Sequence, residues 1–190
     1  MSLDVLDWRR RTTALYAEVR AADDPERAHG IWVSGRERLF ATHPSSANRH
    51  VTLHHAPYDG RWRFEVPLEP ITMPSRIEIA TGTDGVVPFL RLGRVVLGDV
   101  GALDVWWLDS YGGGVWVPMR DTADSTYGGG RYVLDTVKGA DLGGEGGRLV
   151  IDLNFAYNPS CTYDEAWACP LAPPGNRLAR PMEVGELLPG

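Results

Sequence analysis

The chain has 190 residues, a formal net charge of −6 and a sequence pI of about 5.3. That balance argues against nucleic acid as a partner, because a phosphate backbone is gripped by a basic face. Its apolar fraction of 43% and charged fraction of 23% suit a globular protein, and no apolar run approaches the roughly 20 residues needed to cross a bilayer.

The first residues, MSLDVLDWRRRTTALY, lack the basic-then-apolar layout of a signal peptide. The expected compartment is the cytoplasm, where Cys161 and Cys169 are expected as thiols. Lys138 is the one lysine among nineteen basic residues. The Ala, Gly, Pro and Arg bias points to a GC-rich bacterial genome.

Residues 3–22 predict an amphipathic helix. Ser2 can cap it, and Val5, Trp8, Thr12, Leu15, Tyr16 and Val19 fall on one stripe. Asp24-Pro25 is an N-cap followed by proline at the first helical position. The helix it opens is expected to run to about Ala41, with Ala28, Ile31, Trp32, Leu39 and Phe40 inward. His43-Pro44 ends it, because the residue before proline is pushed out of the helical region.

From Val51 onward the pattern is short strands and turns. Strands are expected at Val51–His55, Arg61–Leu68, Arg76–Thr81, Val86–Leu92, Arg94–Leu97, Ala102–Asp109, Gly114–Arg120, Gly130–Thr136 and Arg148–Asn154. Asp59-Gly60 and Asp84-Gly85 read as hairpin turns. About nine strands without intervening helical pattern indicate a mainly β (α+β) fold, an antiparallel barrel or sandwich. Residues 155–190 form a Pro-rich tail with Tyr163, Trp167 and Leu171 to bury, so it is expected to be ordered, with Arg177–Glu183 as one last strand. The chain reads as a single domain: a helical hairpin over 1–42, a β core over 50–154, and the tail.

A [Ser/Thr]-Tyr-Gly-Gly-Gly-x-aromatic-Val unit occurs twice, at Ser110–Val117 and Thr126–Val133. Glycine runs inside strands lack packing side chains and mark bends, bulges or close approaches. The units read as paired strand starts of one hairpin. They are not phosphate loops, since no strand–GxxxxGK–helix arrangement is present.

Arg120-Asp121 with Thr126-Tyr127-Gly128-Gly129-Gly130-Arg131-Tyr132 forms one distinctive segment. Asp152-Leu153-Asn154-Phe155-Ala156-Tyr157-Asn158-Pro159-Ser160-Cys161 forms another, followed by Cys169-Pro170-Leu171-Ala172-Pro173-Pro174-Gly175-Asn176-Arg177-Leu178. With Ala41-Thr42-His43-Pro44, these resemble the bacterial and archaeal family DUF1684, a domain of unknown function. The resemblance spans nearly the whole chain and implies no activity, because the family has none established. The link between Asp121 and Thr126 is shorter than the family pattern, and Gly175 stands where a Glu is common.

Arg120, Asp121, Tyr127 and Arg131 flank the glycines, and an Arg fork beside exposed backbone N–H groups suits a carboxylate or phosphate. The plainer alternative is an Arg–Asp pair in a tight hairpin. Asp152 and Asn154 are expected on one face of the last strand. With Tyr157 and Asn158 they make either a satisfied polar network or a site.

Cys161 could act as a thiolate nucleophile with His43 as base; otherwise the cysteines are two small apolar groups pinning the tail. Their spacing is not that of a zinc knuckle, and no metal is expected. The sequence names no cofactor. The leading expectation is a protein binding a small polar or anionic molecule through Arg120, Tyr127, Arg131 and Asn154, with no nucleic-acid or membrane partner. The alternatives are a hydrolase or transferase using Cys161 or Asp152, and a homodimerising interaction protein.

Overall fold

The computed structural model describes residues 3–81, 85–167 and 169–189; the Ser2 cap and the Asp84 turn position lie outside them. Helix α1 spans Leu3–Ala21 and α2 Pro25–Thr42. The Asp24 carboxylate accepts from the Arg27 N–H at 3.0 Å, so the capping geometry is the one expected. Leu15, Tyr16 and Val19 of α1 and Ala28, Trp32 and Phe40 of α2 are buried. His43 leaves the helix in an extended conformation with its N–H on the Leu39 carbonyl.

Eight strands follow among the described residues: β1 (Arg63–Pro67), β2 (Glu69–Pro70), β3 (Arg76–Thr81), β4 (Gly85–Val96), β5 (Ala102–Leu108), β6 (Val115–Met119), β7 (Arg131–Asp135) and β8 (Arg148–Asp152). All pairings between them are antiparallel. β1 and β8 form a two-stranded sheet, and the other six run in the order β2-β4-β5-β6-β7 with β3 also on β4. The architecture is a sheet sandwich rather than a closed barrel, since β7 does not return to β2 or β3.

Several expected boundaries shift. The strands expected at 86–92 and 94–97 are one long β4, whose register against β5 slips between Arg91 and Gly93. A bulge of this kind absorbs one residue and bends the strand without ending it. Val51–His55 is not a strand: its one bridge is His55 to Glu186. Arg177–Glu183 likewise contributes one bridge, Arg177 to Arg120. Asp59-Gly60 is no hairpin turn. Asp59 instead caps a 3-10 turn over Gly60–Trp62, and β1 finds its partner in β8, far along the chain.

The six-stranded sheet is covered on both sides at its β7 end, where β7 is buried at every position and shows no polar alternation, while β3 at the other end alternates between exposed and half-buried residues. One face carries Val95, Leu103, Val105, Val117 and Val133 into a core shared with α1, α2, β1 and β8. The other carries an aromatic cluster of Phe89, Trp106, Trp116 and Tyr132. The tail crosses that second face. Trp106 donates to the Asn176 side chain at 2.9 Å and Tyr132 to the Pro170 carbonyl at 2.6 Å.

Candidate functional site

β6 and β7 pair as the expected hairpin, Met119 opposite Arg131 and Trp116 opposite Asp135. Arg131 is fully buried. Its guanidinium donates to Asp121 at 2.9 Å and to the carbonyls of Met182 at 2.9 Å, Glu186 at 3.1 Å and Val184. Asp121 also accepts from Thr126 and from the N–H groups of Ala123 and Met182. This pair therefore faces the protein and staples the tail to the hairpin, with only the Arg131 Nε left buried and without a hydrogen-bond partner. Half-exposed Arg120 lends its backbone to the same purpose, donating to Asn176 and accepting from Leu178, both at 2.8 Å.

β8 ends at Asp152, so Asn154 lies in a 3-10 turn, Leu153–Phe155, and not on the strand face expected for it. The Asp152 carboxylate caps that turn and also accepts from the Asn154 side chain at 2.7 Å. Asn154 then clamps Asp59, donating to its carbonyl and accepting from its N–H, both at 3.0 Å. Burial pushes the Asp152 carboxyl up to about 6 against the lowering effect of the Asn154 bonds.

Tyr157 and Asn158 belong to a second staple. Arg36 lies between the rings of Phe40 and Tyr157, 4.7 and 4.8 Å from their centroids. It donates to buried Glu186 at 2.6 Å and to the Asn158 carbonyl at 3.2 Å. Glu186 also accepts from the Asn158 N–H and the Tyr163 hydroxyl. Burial raises its carboxyl pKa, with Arg36 opposing.

His43 has both ring nitrogens engaged, Nδ1 accepting from the Ser45 N–H at 3.0 Å and Nε2 on Asp7 at 3.1 Å. No ring nitrogen is left to take a proton from Cys161. The hydroxyl of Tyr127 lies 3.7 Å from the Cys161 sulfur instead.

The open chemistry lies elsewhere. A groove of about 270 Å³ runs along the aromatic face, floored by Phe89, Trp116 and Tyr132 and edged by Arg9, Asp135 and Lys138. The Lys138 ammonium lies 3.4 Å from the Asp135 carboxylate and 5.6 Å from the Tyr132 ring. Asp135 is buried, while Arg9 and Lys138 are exposed. The rim thus carries two cations against one anion. Sequence reasoning missed these residues because they come from α1, β4, β6, β7 and the turn after β7. The one available signal was a single lysine in an arginine-rich chain.

Among the described residues, no group of three His, Cys, Asp or Glu is placed to hold a metal ion, and no helix is long and apolar enough to cross a membrane.

The fold and these clusters define an α+β sandwich whose second sheet face is partly covered by a polar-stapled tail. The family model for the protein of unknown function DUF1684 matches residues 48–187, and the chain belongs to that family. It is similar to the solution NMR structure of the uncharacterized protein from gene locus rrnAC0354 of Haloarcula marismortui. The identity is 26% and the TM-score 0.58, over 81% of this chain and 89% of that one. No curated protein matches the chain.

Proposed function

We propose that the protein, as a single domain of the cytoplasm, binds a small anionic molecule with a flat apolar body. The site is the groove beside the two glycine-run strands. The observation that carries this reading is the pairing of an aromatic floor with a net cationic rim. Phe89, Trp116 and Tyr132 line the groove with Arg9 and Lys138, and its one carboxylate, Asp135, lies 3.4 Å from Lys138. Ligand sites are mostly apolar concavities with a few polar groups that fix orientation. The indole of Trp116 lines the groove and makes binding observable.

The test is a titration of freshly refolded, ligand-free protein with aromatic and branched aliphatic monocarboxylates and monophosphates, read by tryptophan fluorescence and melting temperature. At least one class is expected to saturate the signal, and Lys138→Glu with Arg9→Glu is expected to weaken it by about tenfold or more. Silence across the panel in the parent protein, or binding that survives both charge reversals, defeats the proposal.

A second reading, an acid–base hydrolase or transferase, is favoured by one observation. Asp152 lines a cleft of about 470 Å³ with Arg20, Arg63, Glu65 and Glu145, and its raised pKa suits proton transfer near neutrality. Turnover of chromogenic esters, phosphoesters or glycosides that vanishes in Asp152→Asn would support it. Equal rates in parent and variant would remove it.

A further inference from the structure

Cys161 and Cys169 are separated by seven residues in sequence, yet the chain doubles back between them. Cys161 sits in the 3-10 turn Ser160–Thr162. The turns that follow are closed by the Asp164 N–H on the Ser160 carbonyl and the Trp167 N–H on the Asp164 carbonyl. Both cysteines line an open groove of about 460 Å³, shared with Ile77 and Ile79 of β3, Tyr127 and Leu171. Both cysteines are free and half-buried. Each thiol perturbs the ionisation of the other, and the Tyr127 hydroxyl lies 3.7 Å from the Cys161 sulfur.

We propose that Cys161 and Cys169 form a redox-active dithiol that exchanges with low-molecular-weight disulfides and closes into an intramolecular disulfide. The geometry supplies what exchange requires: two free cysteines on the wall of one groove, access for a small reactant, and a hydroxyl beside one of the sulfurs. Donation from the Cys169 S–H, with Tyr127 assisting, draws the Cys161 thiol down to about 6; the same bond pushes Cys169 up. The opposite directions of the two shifts make Cys161 the attacking sulfur of the pair.

The Cys161 thiolate attacks one sulfur of the disulfide RSSR. The Cys161–SR bond forms, the S–S bond breaks, and RS⁻ leaves with the electron pair. The Cys169 sulfur then attacks the Cys161 sulfur and expels the second RS⁻, and the Cys169 proton passes to a departing thiolate. Overall the protein loses two electrons to RSSR, and the products are one protein disulfide, RS⁻ and RSH. No histidine base is needed, which agrees with the full engagement of His43. The proposal stands apart from the groove-binding reading, since it uses other residues and another reactant.

The experiment treats the reduced full chain with oxidised glutathione and follows intact mass. The parent is expected to end lighter by two hydrogens with no glutathione retained. Cys169→Ser is expected to trap a stable mixed disulfide at Cys161. Cys161→Ser is expected to react at least about tenfold more slowly at pH 7, because burial still raises the remaining Cys169 thiol when Cys161 is gone. A parent that retains two glutathione adducts, or stays unreacted while a small-molecule dithiol is oxidised, overturns the proposal. So do equal rates for the two single variants. Circular dichroism checks the fold of each variant, and if one fails to fold the mass outcome of the parent decides alone.

Discussion

In the first glycine-run unit Tyr111 is fully exposed. The Gly113 N–H closes on the Ser110 carbonyl at 3.0 Å to turn β5 into β6. In the second unit Thr126 is buried with its hydroxyl on Asp121 at 3.1 Å, and Tyr127 reaches Cys161. The Gly129 carbonyl accepts from the tail at Ala172. After the glycines the units converge again, as Trp116 and Tyr132 meet edge-on at 5.4 Å in the same aromatic cluster.

The two runs bend the chain differently, since Gly112, Gly113 and Gly114 all hold positive φ whereas Gly130 alone does in the second run, and they differ further in what covers them. One unit tips into solvent. The other is roofed by the C-terminal tail, and its polar groups are consumed in holding that roof down.

The strongest way to break this contrast is Arg131→Met. It leaves the buried Asp121 side chain without its cation, and stranding one member of a buried pair costs about 3–5 kcal/mol. Urea denaturation should show that loss.

Gly130→Ala comes next. Its φ is +100°, and a Cβ there would meet the Ala172 Cβ at 2.7 Å and the Met119 carbonyl at 2.9 Å. Backbone strain and overpacking together are expected to cost about 2–4 kcal/mol. Gly128→Ala in the same run, with nothing within 4 Å, is expected to be neutral or slightly stabilising. Equal losses at the two positions would dissolve the distinction between bend and contact.

A pH series sharpens the contrast from outside both units. The Asp152 carboxyl is raised to about 6 in the fold from an ordinary value of about 3.9. The folded state therefore holds its proton more tightly than the unfolded chain. Stability is full below about pH 4 and falls as pH rises to about 6, by up to about 3 kcal/mol. Asp152→Asn should remove that slope and exceed the parent at pH 7, and Gly130→Ala should retain it; urea melts at pH 4 and 7 decide both. The smallest effect is expected from Tyr111→Ser, within about 0.5 kcal/mol of the parent by the same denaturation measurement.

The candidate residues chosen from sequence divide along the same line. Arg131, Asp121, Asn154 and Asn158 are polar residues in distinctive segments. By type, such residues fit a buried network as well as a ligand site. Tertiary packing shows each of them bonded inside the protein. Arg9 and Lys138, in contrast, occur in stretches with no motif. They face the groove only because α1 and the turn after β7 meet beside the aromatic face.

What the sequence by itself determined was local. The Asp24-Pro25 start and His43-Pro44 stop of α2, the inward stripes of both helices, the β6–β7 hairpin and the half-buried alternation of β1 all depend on neighbours within a few residues. Tertiary structure alone decided whether an extended segment found a ladder. Val51–His55 pairs with the tail through a single bridge, whereas β1 reaches β8. It also decided where the two like units ended up. Glycine sets how the chain can turn, but only the arrival of a distant segment, here the tail from Cys169 onward, determines which turn is buried and which stays in water.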